Sequence, residues 1–184
     1  MTTCFGAEDV EMGIDDLMMR TIEEEDLPDR EEYIWERDGV DFIPSTIQLS
    51  AVEAKLRLEM GTERMLARIL EPLKNEYEYI LTDTSPSLGA LNINAMAAAD
   101  EVIITVNPQL LAMKGLQDFL KTVYKIRNRI NEKLSVAGIL LTMCDSRTNM
   151  CETITEQVEE TFQGQVRIFE SKIPHTVKVG ESVY

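Results

Sequence analysis

Tyr79-Ile80-Leu81-Thr82-Asp83-Thr84-Ser85-Pro86-Ser87-Leu88-Gly89 is the stretch from which the fold is read. Its first residues form an apolar, strand-favouring run that ends on a carboxylate. A Pro/Gly turn follows, and Asn92 to Ala98 reads as helix. In sheets built from such units, ligands sit beyond the carboxyl ends of the strands. A hard carboxylate at that edge suits Mg²⁺, held directly or through water beside nucleotide phosphates. Gly89 would let the backbone approach a γ-phosphate closely. The residues alone equally allow Asp83 to cap the helix that begins near Leu91.

Outward from this stretch the same pattern repeats. Val102 to Val106 and Val136 to Met143 are apolar runs, and Val166-Arg167-Ile168-Phe169 reads as the last clear strand. Between them, Leu116, Phe119, Leu120, Val123 and Ile130 mark a long amphipathic helix, and Ile154, Val158 and Phe162 mark another. Upstream, Val10, Ile14, Leu17, Met18 and Ile22 recur at helical spacing until Pro28. Val40 to Ile43 is a short strand ended by Pro44. Ser50 and Glu53 have capping-box spacing, and a second helix passes through Met65, Ile69, Leu70 and Leu73. Apolar strands alternating with helices predict an α/β fold: a mostly parallel, twisted sheet with helices on both faces.

Two further strand ends are polar. Asp145-Ser146-Arg147-Thr148-Asn149 follows the strand ending at Met143, either as a site or as an Asx-type turn. Ile173-Pro174-His175-Thr176-Val177-Lys178 follows the last strand, either as a loop around a base or as plain surface.

The 184 residues carry a net charge of −15. Residues 1–100 hold 8 basic and 23 acidic side chains, whereas residues 101–184 hold 10 of each. Nucleic-acid binding needs Lys and Arg against phosphate, so any DNA contact belongs to a local patch in the C-terminal half. Residues 8–41, with 15 acidic and 3 basic side chains, read as a solvated helical face or an acidic docking surface. Three cysteines (Cys4, Cys144, Cys151) without Cys-x-x-Cys spacing argue against a disulfide framework and against zinc. No apolar run is long enough to span a bilayer and no signal segment is visible, which predicts a cytoplasmic protein without membrane attachment.

Together these motifs resemble one family. Tyr79 to Gly89, followed by Asn94-Ala95 and Ala99-Asp100, is similar to the segment of ParA/Soj partition ATPases that reads D-x-P-P-S-L-G and then N-A-L-x-A-A-D. This is the deviant-Walker class of P-loop proteins. The likeness continues through Asn107-Pro108-Gln109, Ala112 to Leu116, Gly138 to Asn149, Ile173-Pro174 and Val177-Lys178. Upstream, Pro44-Ser45-Thr46-Ile47-Gln48-Leu49-Ser50 resembles P-S-N-I-Q-L-A. The resemblance implies ATP and Mg²⁺ as cofactors and a homodimer closed around two nucleotides. It also implies non-specific DNA binding on the nucleoid and hydrolysis stimulated by a ParB-type adaptor. By the same resemblance Asp83 is the Walker B carboxylate near Mg²⁺, and Gly89 ends switch II. Asp145, Pro174, His175 and Val177 belong to the nucleotide site, and Arg147 and Lys178 to the DNA-binding face.

This sequence departs from the family pattern in several places. It contains no K-G-G-V-G-K-T loop, whose backbone N–H groups and lysines hold phosphates, and no D-x-D-P-Q-G switch I. Ser85 stands where the family often has Pro, and His175 and Lys178 where it often has Arg. The expectation is one ParA-like domain over residues 1–184, entering the pattern roughly 45 residues in. It would lack the N-terminal phosphate-loop unit and the C-terminal helices, and would be inactive by itself. The alternative is a truncated, non-catalytic relative that binds DNA or a partner.

Overall fold

The computed structural model describes residues 10–85, 88–107, 112–144, 150–162 and 164–176. The described residues up to Ala98 form one compact unit, and those from Ala99 onward form a second.

The first unit is mainly helical. Helix α1 spans Ile14–Ile22, α2 Leu49–Leu58, α3 Met65–Leu70 and α4 Ala90–Ala98. Strands β1 (Trp35–Arg37) and β2 (Val40–Phe42) form an antiparallel hairpin. The helical spacing read from Leu17 and Met18 is realised, since both are buried in a cluster with Val52, Leu56, Ile69 and Leu70. Asp15 is buried yet satisfied: its carboxylate accepts from the Thr46 N–H (2.9 Å) and hydroxyl (2.7 Å). The acidic stretch therefore contains one carboxylate that fastens α1 to the segment before α2, while Glu23 to Asp26 are exposed.

The expected start of α2 needs correction. The helix begins at Leu49 after Gln48, and the Ser50 hydroxyl donates to the Ile47 carbonyl instead of capping. Glu53 pairs with Arg57 one turn on, at 2.7 Å. The Thr46 hydroxyl accepts from the Gln48 N–H at 3.1 Å and provides a polar contact in this opening turn.

The second unit holds β3 (Glu101–Val106), α5 (Ala112–Arg129), β4 (Ser135–Leu141) and α6 (Met150–Phe162). Strands β3 and β4 are parallel, with a bulge that leaves Ala137 opposite no single partner. Ile104, Val106, Ile139 and Leu141 share a core with Leu116 and Leu120 of α5 and Ile154 and Val158 of α6. This is the α/β arrangement expected from apolar strands and amphipathic helices. The expected strand Val166–Phe169 is reduced to one bridge, Ile139 to Ile168, flanked by hydrogen bonds of 2.8 and 2.9 Å.

Gly138 makes that bridge possible. Its φ is +156°, and an added Cβ would lie 2.9 Å from the Arg167 carbonyl oxygen and 2.9 Å from the Phe169 ring. Gly138→Ala should therefore cost about 2–3 kcal/mol, combining backbone strain with a clash against main chain. Urea denaturation of the variant beside the parent chain measures this, and a cost below about 0.5 kcal/mol would contradict it.

Candidate functional site

Tyr79 to Ser85 form no strand in this structure, contrary to the reading of an apolar strand ending at Asp83. Tyr79 and Leu81 are 78% and 83% exposed, and Asp83 is exposed. The physical reason is the lack of a hydrogen-bonding neighbour: among the described residues no backbone–backbone bond to this segment is present. An apolar strand without a partner cannot bury either face.

The segment instead lines one side of a cavity of about 670 Å³. Met18, Leu66, Leu70 and Leu73 form apolar walls, and Asp83, Thr84, Ser85 and Asn92 contribute polar groups. The Tyr77 phenol, also at the cavity, donates to Asp41 (2.5 Å), and this bond raises its pKa above the ordinary 10.0.

Two asparagines of α4 are buried and hydrogen-bonded. Asn92 is buried, and its amide donates to the Ser85 carbonyl at 2.8 Å, two residues from Asp83. Asn94, 1% exposed, accepts from the Leu66 N–H (3.2 Å) and donates to the Thr62 carbonyl (2.9 Å). It ties α4 to the start of α3. The signal for both was present: amide side chains within an otherwise apolar helix need buried partners. Asn94→Ala leaves a buried donor and acceptor unmet and should cost about 2–4 kcal/mol, which thermal unfolding would register. A shift in unfolding temperature of less than about two degrees would contradict it.

Gly89 lies directly before α4 and against α2. A Cβ there would meet the Glu53 carboxylate, so the absence of a side chain admits a close polar neighbour. Here that neighbour is the anion paired with Arg57. An i, i+4 charge pair was readable in the sequence, but its position against Gly89 was not.

Pro174 and His175 belong to the second unit. The Cys144 N–H donates to the Ile173 carbonyl (3.0 Å), and the His175 N–H donates to the Cys144 carbonyl (2.9 Å). These bonds align Ile173–His175 parallel to the end of β4, with Pro174 bridged to Cys144. Asp83 and Gly89 thus come from one unit, and Pro174 and His175 from the other. Asp145, Arg147, Val177 and Lys178 lie outside the described residues.

The cysteine reading is corrected here. Cys144 and Cys151 are joined by a disulfide, with Cα atoms 5.8 Å apart. Spacing rules based on Cys-x-x-Cys do not cover two cysteines brought together by a strand end and the next helix. Among the described residues, no group of three or more metal-binding side chains is present. Asp83 offers a single carboxylate. That suits Mg²⁺, which takes one or two carboxylates and completes its shell with phosphate and water.

Comparison with known proteins agrees with this architecture. A family model described as an AAA domain matches residues 1–136. The sporulation initiation inhibitor protein Soj of Bacillus subtilis is 39% identical over 145 residues, covering 79% of this chain and 56% of that protein. The chromosome-partitioning ATPase Soj of Treponema pallidum is 39% identical over 140 residues, covering 76% and 54%. Among solved structures, cobyrinic acid a,c-diamide synthase from Mycobacterium smegmatis, with bound ATP analogue and magnesium, superposes with a TM-score of 0.80. Its identity is 26%, over 92% of this chain and 67% of that one. The fold is that of P-loop nucleotide-hydrolysing proteins. Within that class, the chain belongs to the ParA/Soj family of partition ATPases. It spans just over half the length of these Soj relatives.

Proposed function

We propose that this chain supplies the metal, switch and base-side parts of a DNA-partitioning ATPase, over one ParA-like domain. The observation that carries this is the 39% identity to Soj proteins together with an acidic segment end, Asp83, followed by the turn to Gly89. Asp83 would hold Mg²⁺ directly or through water, and Mg²⁺ when bound would neutralise charge on the β- and γ-phosphates. Gly89 would let the main chain approach the γ-phosphate, and the Asn92 amide donates to the Ser85 carbonyl, two residues from Asp83. Ile173–His175, with Val177 and Asp145, would flank the base.

The 184 residues contain no glycine-rich phosphate loop with its lysines. A lone carboxylate repels a triphosphate unless a metal and positive groups offset it. Backbone N–H groups and lysine supply most of that stabilisation in this class. By itself, then, the chain should neither hold ATP tightly nor hydrolyse it. The intact activity would be ATP-dependent dimerisation, non-specific DNA binding on the nucleoid and adaptor-stimulated hydrolysis. Partner-stimulated turnover by the purified 184-residue chain, lost in Asp83→Ala, would overturn this reading.

DNA binding rests on local cations, because the chain as a whole is acidic. Arg147 and Lys178 are the leading pair. Lys125, Arg127 and Arg129, exposed on α5, and Lys133, exposed just after it, are a weaker set, and Lys121 is already paired with Asp118 at 3.0 Å. In the ATP-loaded protein with its phosphate loop, Arg147→Ala/Lys178→Ala should weaken binding about equally for any DNA sequence. The slope of log affinity against log salt should fall by roughly 2. Equal affinities and slopes across a salt series would rule this pair out.

A further inference from the structure

The disulfide between Cys144 and Cys151 cross-links two positions seven residues apart in the sequence. Cys144 stands three residues after β4, and its main chain is bonded to Ile173 and His175. Cys151 lies in the first turn of α6, on the face that also carries Ile154 and Val158. All four are buried in one core, with Cys144 8% and Cys151 7% exposed. Both cysteines therefore sit within the packed core that β4 and α6 share. The Cα separation of 5.8 Å lies in the ordinary range for a bridge.

We propose that Cys144 and Cys151 form a reversible dithiol–disulfide site that fastens the start of α6 to the end of β4. The oxidant is a low-molecular-weight disulfide. One protein thiolate attacks it, forming a mixed disulfide and releasing one small thiol. The second thiolate then attacks the protein sulfur of that mixed disulfide, and the second small thiol leaves. Two protein thiols lose two protons and two electrons, and the small disulfide becomes two thiols. In reducing surroundings the pair stays open, and a shift in the thiol pool closes it. Low exposure disfavours a lasting adduct with a bulky partner, whereas the preset neighbour resolves it. This site is separate from the nucleotide reading: it requires only the packing of β4 against α6.

The test uses the full 184-residue chain carrying Cys4→Ser, which leaves only the pair, at conditions where circular dichroism is native-like. It is equilibrated with reduced and oxidised glutathione at graded ratios, then trapped with an alkylating reagent and weighed. The expected product takes up no alkyl group and is about 2 Da lighter than the unalkylated dithiol chain, without a glutathione adduct. Half-oxidation should require a pool roughly tenfold more reducing than for the same chain in concentrated urea, because folding supplies the proximity. The oxidised chain should also melt several degrees higher, reversed by dithiothreitol. A persistent glutathione adduct on the native chain, equal midpoints with and without urea, or an unchanged melting temperature would each overturn the proposal.

Discussion

Preceded by the strand and phosphate-loop helix of a Soj relative, this chain should be about 5 kcal/mol more stable to unfolding than the 184-residue form. Tyr79 and Leu81, now 78% and 83% exposed, would gain cover worth about 1.5–3 kcal/mol each. Each backbone hydrogen bond formed along Tyr79–Asp83 would add about 0.5–1.5 kcal/mol. The apolar walls around the 670 Å³ cavity would gain contacts as well. Ordering the added segment takes back part of this gain. Whole-domain stability is only about 5–15 kcal/mol, so the short form should be marginal and prone to associate through its unpaired segment. Urea denaturation and sedimentation of the two forms measure this. A monomeric short form, unfolding cooperatively at the same midpoint, would show that the exposed segment costs nothing.

The second large effect is catalytic. In the extended protein, Asp83→Ala should lower adaptor-stimulated ATP turnover by at least about a hundredfold, with folding intact. Asp83 is exposed and lines an open cavity, so its removal disturbs little packing. Its loss should act through the metal: raising Mg²⁺ should partly restore turnover in Asp83→Asn, which keeps one oxygen donor, and not in Asp83→Ala. Turnover within threefold of the parent would remove Asp83 from the site.

Most of the second unit was readable from periodicity. Leu116, Leu120 and Val123 announced α5, and the apolar run to Leu141 announced β4, because each buries its pattern against the other within one unit. Tyr79–Asp83 was readable as a strand by composition and is not one here. A strand is a property of a pair, and the residues of one segment do not say whether a neighbour is present. Asp83 stood out because a carboxylate ending an apolar run is costly without a purpose. Gly138 did not stand out: its necessity comes from Arg167 and Phe169, almost thirty residues on. The Cys144–Cys151 pair was likewise hidden, since it depends on which elements meet in space; Asn94 showed as an amide in an apolar helix, but its partners Leu66 and Thr62 did not. Asp145, Pro174, His175 and Val177 on the base side and Arg147 and Lys178 on the DNA side were carried by family likeness, and of these Pro174 and His175 have a described position.

The most direct measurement is calorimetric titration of ATP–Mg²⁺ into the 184-residue chain and into the form carrying a family phosphate loop. No heat of specific binding to the first is expected up to about millimolar nucleotide, against micromolar binding to the second, weakened by Asp83→Ala. Micromolar binding to the 184-residue chain itself, abolished by Asp83→Ala, would contradict the claim that these residues depend on a separate phosphate-holding loop.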